Sequence, residues 1–349
     1  MKLDSIDKDL FIESFSENRF FQPLFVKIKP SIRCNLRCVK CNYWRKAVRD
    51  ELTTDEVLSL IDQLSELHCR TIKFSGGEVL LRKDIFVLLK HAKEKGIATS
   101  ITSNGTLIDR TTATRLIEGG LNRITISIDS HEPEIHDKIV GVKGSWKKST
   151  AAIKNLKESA ETLKRDFKIT IATVVSKLNF TNTDMIVDLA KEMGADNIDF
   201  IALVQVHLGD SSLFMSPGDI RYFQNVTTDR ILAKIKKFGT RVVNQNPFCN
   251  YEHTIIRNGF RATTLYKNIP CFVPWYHFFV HYNGDVVPCC CNKKYVVGNI
   301  RQEKLKNIVN NVRFVEFRKL CKPPIRNRRC YYCLDEVENN LSMANWLGC

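Results

Sequence analysis

Residues 24–41 read Leu24-Phe25-Val26-Lys27-Ile28-Lys29, then Pro30-Ser31-Ile32-Arg33, then Cys34-Asn35-Leu36-Arg37-Cys38-Val39-Lys40-Cys41. A β-rich run therefore closes directly onto three cysteines in a CxxxCxxC pattern. Runs of the same kind follow at Thr71–Ser75, Ala98–Thr102, Arg123–Asp129, Ile169–Val175 and Ile198–Leu203, with amphipathic stretches between them. Such alternation predicts a parallel α/β sheet. The helices are punctuated: Thr53 with Glu56 reads as a capping box, and Val57, Leu58, Ile61, Leu64 and Leu67 then recur on one face. Gly96, the Gly119–Gly120 pair and Gly194 stand where helices should stop. Six βα units are too few for a closed eight-stranded barrel. The expected fold is α/β, a partial parallel βα barrel of about six strands.

Further along the chain the rhythm changes. Ser216–Pro217 opens a long helix toward Phe238, with Ser as cap and Pro in the first helical position. His277–Tyr282, Asn283–Gly284 and Asp285–Val287 read as a hairpin, since Asn-Gly suits a type I′ turn. With a helix around Leu305–Leu320 this makes a small, separate C-terminal α+β domain. The expected division is an N-terminal extension (1–22), the partial barrel (23–215), a helical linker region (216–265) and the C-terminal domain (266–349).

The chain has 349 residues, enough for one large domain and a smaller one. With 44% apolar and 26% charged residues it has an ordinary globular balance. No stretch approaches the roughly 20 apolar residues of a membrane span, and Met1 to Asn18 has no signal-peptide core; a cytoplasmic protein is expected. Thirteen cysteines then point to metal rather than disulfides, the more so because they cluster at 34–41, 271–291 and 321–333. The net charge of +15 draws anionic partners or coats a solvated surface, and by itself decides nothing.

Three thiolates at the spacing of Cys34, Cys38 and Cys41 can ligate three irons of a [4Fe–4S] cubane and leave the fourth iron open. A zinc knuckle completed by a distant residue is the alternative. The motif ends the first strand, at the edge where α/β sheets bind ligands. Ser75-Gly76-Gly77-Glu78 follows the second strand: paired glycines admit a ligand to the backbone, and Glu78 offers a carboxylate to an ammonium group. Asn104, in Thr102-Ser103-Asn104-Gly105, and Ser127 with Asp129 close the third and fourth strands. Each is weak alone, because Asn-Gly and Asp-Ser are routine turn chemistry. Their common position is stronger: all face one mouth of the sheet.

Cys34-x3-Cys38-x2-Cys41 with Gly76-Gly77-Glu78 one βα unit later resembles the radical S-adenosylmethionine (SAM) superfamily, over roughly residues 23–205. The resemblance implies that S-adenosylmethionine chelates the open iron through its amine and carboxylate. Gly76, Gly77 and Glu78 would contact the amine, and Asn104, Ser127 and Asp129 would lie near the cofactor. Reduction would release a 5′-deoxyadenosyl radical that abstracts a hydrogen atom from substrate. One departure is visible: the position before the last cysteine, often aromatic in the family, is Lys40.

The C-terminal cysteines resemble the SPASM/twitch type of auxiliary-cluster domain, through Cys271, Gly284-x4-Cys289 and Cys330-x2-Cys333. That resemblance implies one auxiliary [4Fe–4S] cluster, an electron relay held by Cys271, Cys289, Cys330 and Cys333. Cys290 or Cys291 could replace Cys289, and a zinc site is the alternative. Cys321 and Cys69 read as buried thiols. Cys249, between the two domains, could return a hydrogen atom to a substrate radical or simply be packed.

The function so implied is a radical SAM oxidoreductase or maturase, served by a flavodoxin- or ferredoxin-type reductant. It would act on a peptide or small-molecule natural product, with an anionic one among those the +15 charge would suit, by dehydrogenation, cross-linking or epimerisation. The short segment before the first strand leaves no room for a precursor-peptide-recognition domain. The alternatives are a molybdenum-cofactor-type cyclase and a non-enzymatic zinc or iron–sulfur nucleic-acid-binding protein; nucleic acid and membrane are not expected partners.

Overall fold

The computed structural model describes residues 6–203, 211–244, 269–323, 330 and 337–348. Strands β1 (Phe25–Ser31), β2 (Thr71–Gly76), β3 (Ala98–Ser103), β4 (Leu121–Ser127), β5 (Lys168–Val175), β6 (Asn197–Ala202) and β7 (Arg241–Asn244) lie side by side in chain order, each parallel to the next. Helix α1 (Lys8–Ser16) precedes them. Helices α2 (Thr54–Glu66), α3 (Ile85–Glu94), α4 (Arg110–Glu118), α5 (Pro133–Val140), α6 (Ser145–Thr162) and α7 (Met185–Met193) join them.

Strand periodicity builds this sheet. Val26, Ile28, Ile72, Phe74, Ile101, Ile124, Ile126, Ile169, Ile171, Ile198 and Phe200 are buried in one core with Val57, Leu60, Ile61 and Leu64 of α2 and Leu88 and Leu89 of α3. The intervening positions, among them Lys27, Lys73, Ser100, Thr102, Thr125 and Ser127, turn to the opposite face and stay half-buried. Helices α2 and α4 start on side-chain caps; at α2 the Thr53 hydroxyl accepts from the Glu56 N–H at 3.2 Å, and the Glu56 carboxylate accepts from the Thr53 N–H at 2.7 Å.

Three expectations need correction. The segment 216–265 is more than a helical linker, because β7 within it pairs with β6 and extends the parallel run. Its four residues are too short a run to stand out from sequence. The C-terminal hairpin is not a sheet of its own either. Its first strand, β8 (His277–Val280), lies parallel to β1 from Phe25↔His277 to Ile28↔Val280. With β9 (Asp285–Val287) and β10 (Gly298–Asn299) the described residues form one ten-stranded sheet in the order β10-β9-β8-β1-β2-β3-β4-β5-β6-β7. Third, Asn283–Gly284 does not form a type I′ turn. Only Gly284 of the pair has positive φ (86°), and the His281 N–H and C=O bond to Asp285 C=O and Gly284 N–H. That is a longer loop closed by a left-handed glycine.

A second core ties the two ends of the chain together. Phe11 of α1 and Leu24 are buried with Phe272, Trp275, Tyr276, Phe317 and Met343. Beside it Arg318 is fully buried, donating to the carbonyls of Pro274 (3.0 Å), Asn18 (2.8 Å) and Val309. Among the described residues no helix is long and apolar enough to cross a membrane.

Candidate active site

The cysteine loop leaves β1 and is pinned from two sides. The Arg37 and Val39 N–H groups donate to the carbonyls of Val140 (3.0 Å) and Ile139 (2.9 Å), at the end of α5. Cys34, Cys38 and Cys41 are each half-buried, and the neighbouring Cys34 and Cys41 help to raise the pKa of Cys38. Burial, its largest cause, pushes the Cys38 thiol up to about 12. The N–H of Leu36 points at Cys34 Sγ (3.4 Å), that of Tyr43 at Cys41 Sγ (3.5 Å), and the Asn104 side chain also bonds Cys34. N–H donors aimed at sulfur favour thiolate over thiol, so the donor set fits a cluster of irons.

Gly76 and Gly77 also have a packing reason to be glycine. A Cβ on Gly77 would stand 2.0 Å from the Arg33 carbonyl oxygen, and one on Gly76 2.0 Å from that of Ser31. The glycines let β2 close against the start of the cysteine loop, sealed by Glu78 N–H donating to Arg33 C=O at 2.7 Å. Glu78 is 1% exposed. One of its oxygens accepts from Ser103 Oγ (2.9 Å) and Leu80 N–H (3.1 Å), and the other from Asn104 N–H (2.8 Å). Desolvation raises its pKa while these donors oppose the rise. Glu78 thus ties the end of β2 to the end of β3. Asn104 continues the brace, donating to Asn35 Oδ1 at 2.9 Å.

Across the mouth, at the end of β4, Asp129 is fully buried. Its Oδ1 accepts from Lys40 Nζ and, at 3.1 Å, from Val174 N–H. Its Oδ2 has no hydrogen-bond partner among the described residues. The Asp129 N–H donates to His136 Nδ1 at 3.1 Å, and Asn179 holds the Asp129 carbonyl at 2.6 Å. A buried carboxylate oxygen without a partner, on a side chain that Lys40 ties to the cysteine loop, fits a ligand that brings a hydroxyl or amine donor. Ser127 is half-buried one turn of pleat earlier, on the same strand.

Sequence reasoning missed two participants. Lys40 was visible only as a departure from an aromatic position; its pairing with Asp129 spans 89 residues. His136 carried no signal beyond being a histidine inside a helix.

At the other end of the sheet, Cys289 closes the β9 segment, with burial pushing its thiol well up and Cys330 and Cys271 among its charged neighbours. Asn292 donates to Cys289 Sγ at 3.3 Å and also to Cys330. The structure thus brings Cys271, Cys289 and Cys330 together. Cys290 is half-buried beside them. Cys249 and Cys333 lie outside the described residues, and Cys69 is core.

Comparison with known proteins follows the same division. The family model of the radical SAM superfamily matches residues 28–190, and that of the SPASM iron–sulfur cluster-binding domain matches residues 271–334. An AdoMet-dependent heme synthase of Methanosarcina barkeri is 30% identical over 310 residues, covering 86% of this chain and 85% of that protein. A PqqA peptide cyclase of Bradyrhizobium diazoefficiens is 29% identical over 187 residues, covering 53% of this chain and 47% of the cyclase. Among solved structures, Streptococcus suis SuiB bound to S-adenosylmethionine superposes with a TM-score of 0.70 at 19% identity, over 90% of this chain and 72% of that one.

Proposed function

The chain belongs to the radical SAM superfamily and carries its SPASM iron–sulfur domain, and on that premise we propose that it abstracts a hydrogen atom from an unactivated carbon of a peptide or natural product. The observation that carries this reading is the meeting of the three-cysteine loop, Asn104 and the open Asp129 oxygen at the carboxyl ends of β1–β4. When bound and reduced, a cluster of this family supplies the electron that cleaves S-adenosylmethionine to a hydrogen-abstracting 5′-deoxyadenosyl radical.

The chain's own residues have separable tasks. Cys34, Cys38 and Cys41 hold three irons as thiolates, so cluster assembly takes their protons away. Asp129 Oδ2 and Ser127 receive the cofactor's hydroxyl or amine donors, and Asn104 holds its place beside Cys34. Gly76, Gly77 and Glu78 keep the loop and the strand ends in register around the cofactor. Cys271, Cys289, Cys330 and Cys333 are the auxiliary-cluster ligands expected from sequence, and an auxiliary cluster closed by four thiolates would pass electrons rather than bind substrate. Cys249 remains a proposed hydrogen donor. A flavodoxin- or ferredoxin-type reductant and a reducing, cytoplasmic setting accompany this chemistry.

A second reading is favoured by one observation. The heme synthase is matched over most of its length, which supports a tetrapyrrole-type small molecule in place of a peptide. Lys27, Lys29 and Lys73 on the half-buried side of β1 and β2 support an anionic substrate in either case; Lys27 and Lys73 stand in register. Membership in an enzyme superfamily sets aside the non-enzymatic zinc reading.

Substrates deuterated at candidate carbons decide between the readings. Deuterium should appear in 5′-deoxyadenosine from a peptide or from a carboxylated tetrapyrrole, and should fall when the carboxylates are converted to amides. Cofactor cleavage without deuterium transfer from either class would overturn both.

A further inference from the structure

The helix Val312–Leu320 ends on a cysteine that neither the spacing nor the family pattern marks. Cys321 is 1% exposed, sits in the second core with Phe272 and Phe317, and its carbonyl accepts from the Cys271 N–H at 3.0 Å. Cys271 and Cys289 pack against that same core, and the thiols of Cys271 and Cys330 are near enough to Cys321 to push its pKa up. Those two are also neighbours of Cys289. Four reduced thiols therefore converge from four separate segments: the turn before Val273, the end of β9, the end of the 312–320 helix, and Cys330.

Packing alone does not account for the arrangement. A buried thiol is a weak donor and acceptor that behaves as a small hydrophobe, and Cys69 shows that behaviour here, alone in the main core with only the Thr71 carbonyl at 3.5 Å. At Cys289 and Cys330, by contrast, a polar side chain faces sulfur. Asn292, itself 2% exposed, directs its amide at Cys289 Sγ and at Cys330. An amide donor aimed at two sulfurs is a setting for thiolates, and thiolates buried together need a cation between them.

We propose that Cys321 is a ligand of the auxiliary cluster, completing a four-thiolate set with Cys271, Cys289 and Cys330. This rests on the reading of the C-terminal region as a cluster site, and moves the fourth ligand from Cys333 to Cys321. Ligation converts each thiol to thiolate with loss of its proton to solvent; no oxidation of sulfur is involved. The site is closed, so the cluster has no iron free for substrate, as an electron relay requires.

The test is iron and spin counting on anaerobically reconstituted, full-length protein. Wild type should carry about eight irons per chain as two cubanes. Cys321→Ser, Cys321→Ala and Cys271→Ser should each fall to about four and lose one of two electron-paramagnetic-resonance signals. Iron bound at Cys34, Cys38 and Cys41, with its own paramagnetic signal, should survive in all three, which shows that the variants fold. Cys69→Ser, the loss of an equally buried thiol elsewhere, should keep eight. A Cys321→Ser protein that retains eight irons with both signals unchanged overturns the proposal. A wild type that binds no second cluster overturns instead the reading on which it rests.

Discussion

Lys40 stands directly before the third cysteine, and its ammonium is spent on a carboxylate buried across the mouth of the sheet. Only 15% of its side chain and 1% of that of Asp129 are exposed. Removing one member of such a pair leaves the other as an uncompensated buried charge, which costs far more than the pair contributes. Lys40→Met should therefore leave cluster assembly intact but weaken S-adenosylmethionine binding by about tenfold, on the order of 1.4 kcal/mol, measured by equilibrium binding to reconstituted protein. Unchanged affinity would show that Asp129 does not face the cofactor. Gly77→Ala is harsher: its Cβ would meet the Arg33 carbonyl at 2.0 Å, and backbone cannot yield as a side chain can. It should destabilise the protein by about 3 kcal/mol or more and reduce iron bound at Cys34, Cys38 and Cys41; thermal unfolding with iron analysis checks both. The placement of the cysteines, glycines and Glu78 at the ends of β1 and β2 was legible because the strand–loop alternation is written in local spacing. The Lys40–Asp129 pair and the Cys321 contacts were not, since they join residues far apart in sequence.

At the level of elements, the βα alternation was readable because β2, β3 and β6 alternate buried and more exposed positions and α2 and α4 start on side-chain caps. Even so, β4 begins two residues before the expected Arg123 and ends at Ser127. The helix expected around 305–320 is interrupted, with Leu305–Ile308 followed by Val312–Leu320 capped on Asn311. Asn311 Oδ1 accepts from the Phe314 N–H at 3.0 Å, and that local bond competes with a continuous helix. The second of these helices is fixed by Arg318, whose guanidinium fills three carbonyls and stacks 4.5 Å from Phe314. Arg318→Met leaves those carbonyls buried without donors, at about 1–3 kcal/mol each before relaxation. The expected outcome is a loss of about 3 kcal/mol in denaturant unfolding; a change under 1 kcal/mol would mean that water replaces the guanidinium. Neither β7 nor the pairing of β8 with β1 could be foreseen, because short strands carry little periodicity and register between distant strands is set by packing.

Across the whole molecule, one sheet runs from the cysteine loop to the auxiliary region, and α1 packs against residues near both ends of the chain. The auxiliary part is therefore built onto the edge of β1, the strand that delivers the first cysteine. A chain truncated after residue 268 would expose that edge and the apolar side of α1, and should aggregate or lose cooperative unfolding; a soluble, cooperatively folded fragment would show that the two parts are independent. The account as a whole stands on the three cysteines acting as a catalytic cluster site. Anaerobically reconstituted protein, given dithionite and S-adenosylmethionine, should form 5′-deoxyadenosine, and Cys38→Ala should form none while keeping its auxiliary iron. Iron-loaded wild-type protein that forms no 5′-deoxyadenosine, or a Cys38→Ala variant that forms as much as wild type, would contradict it.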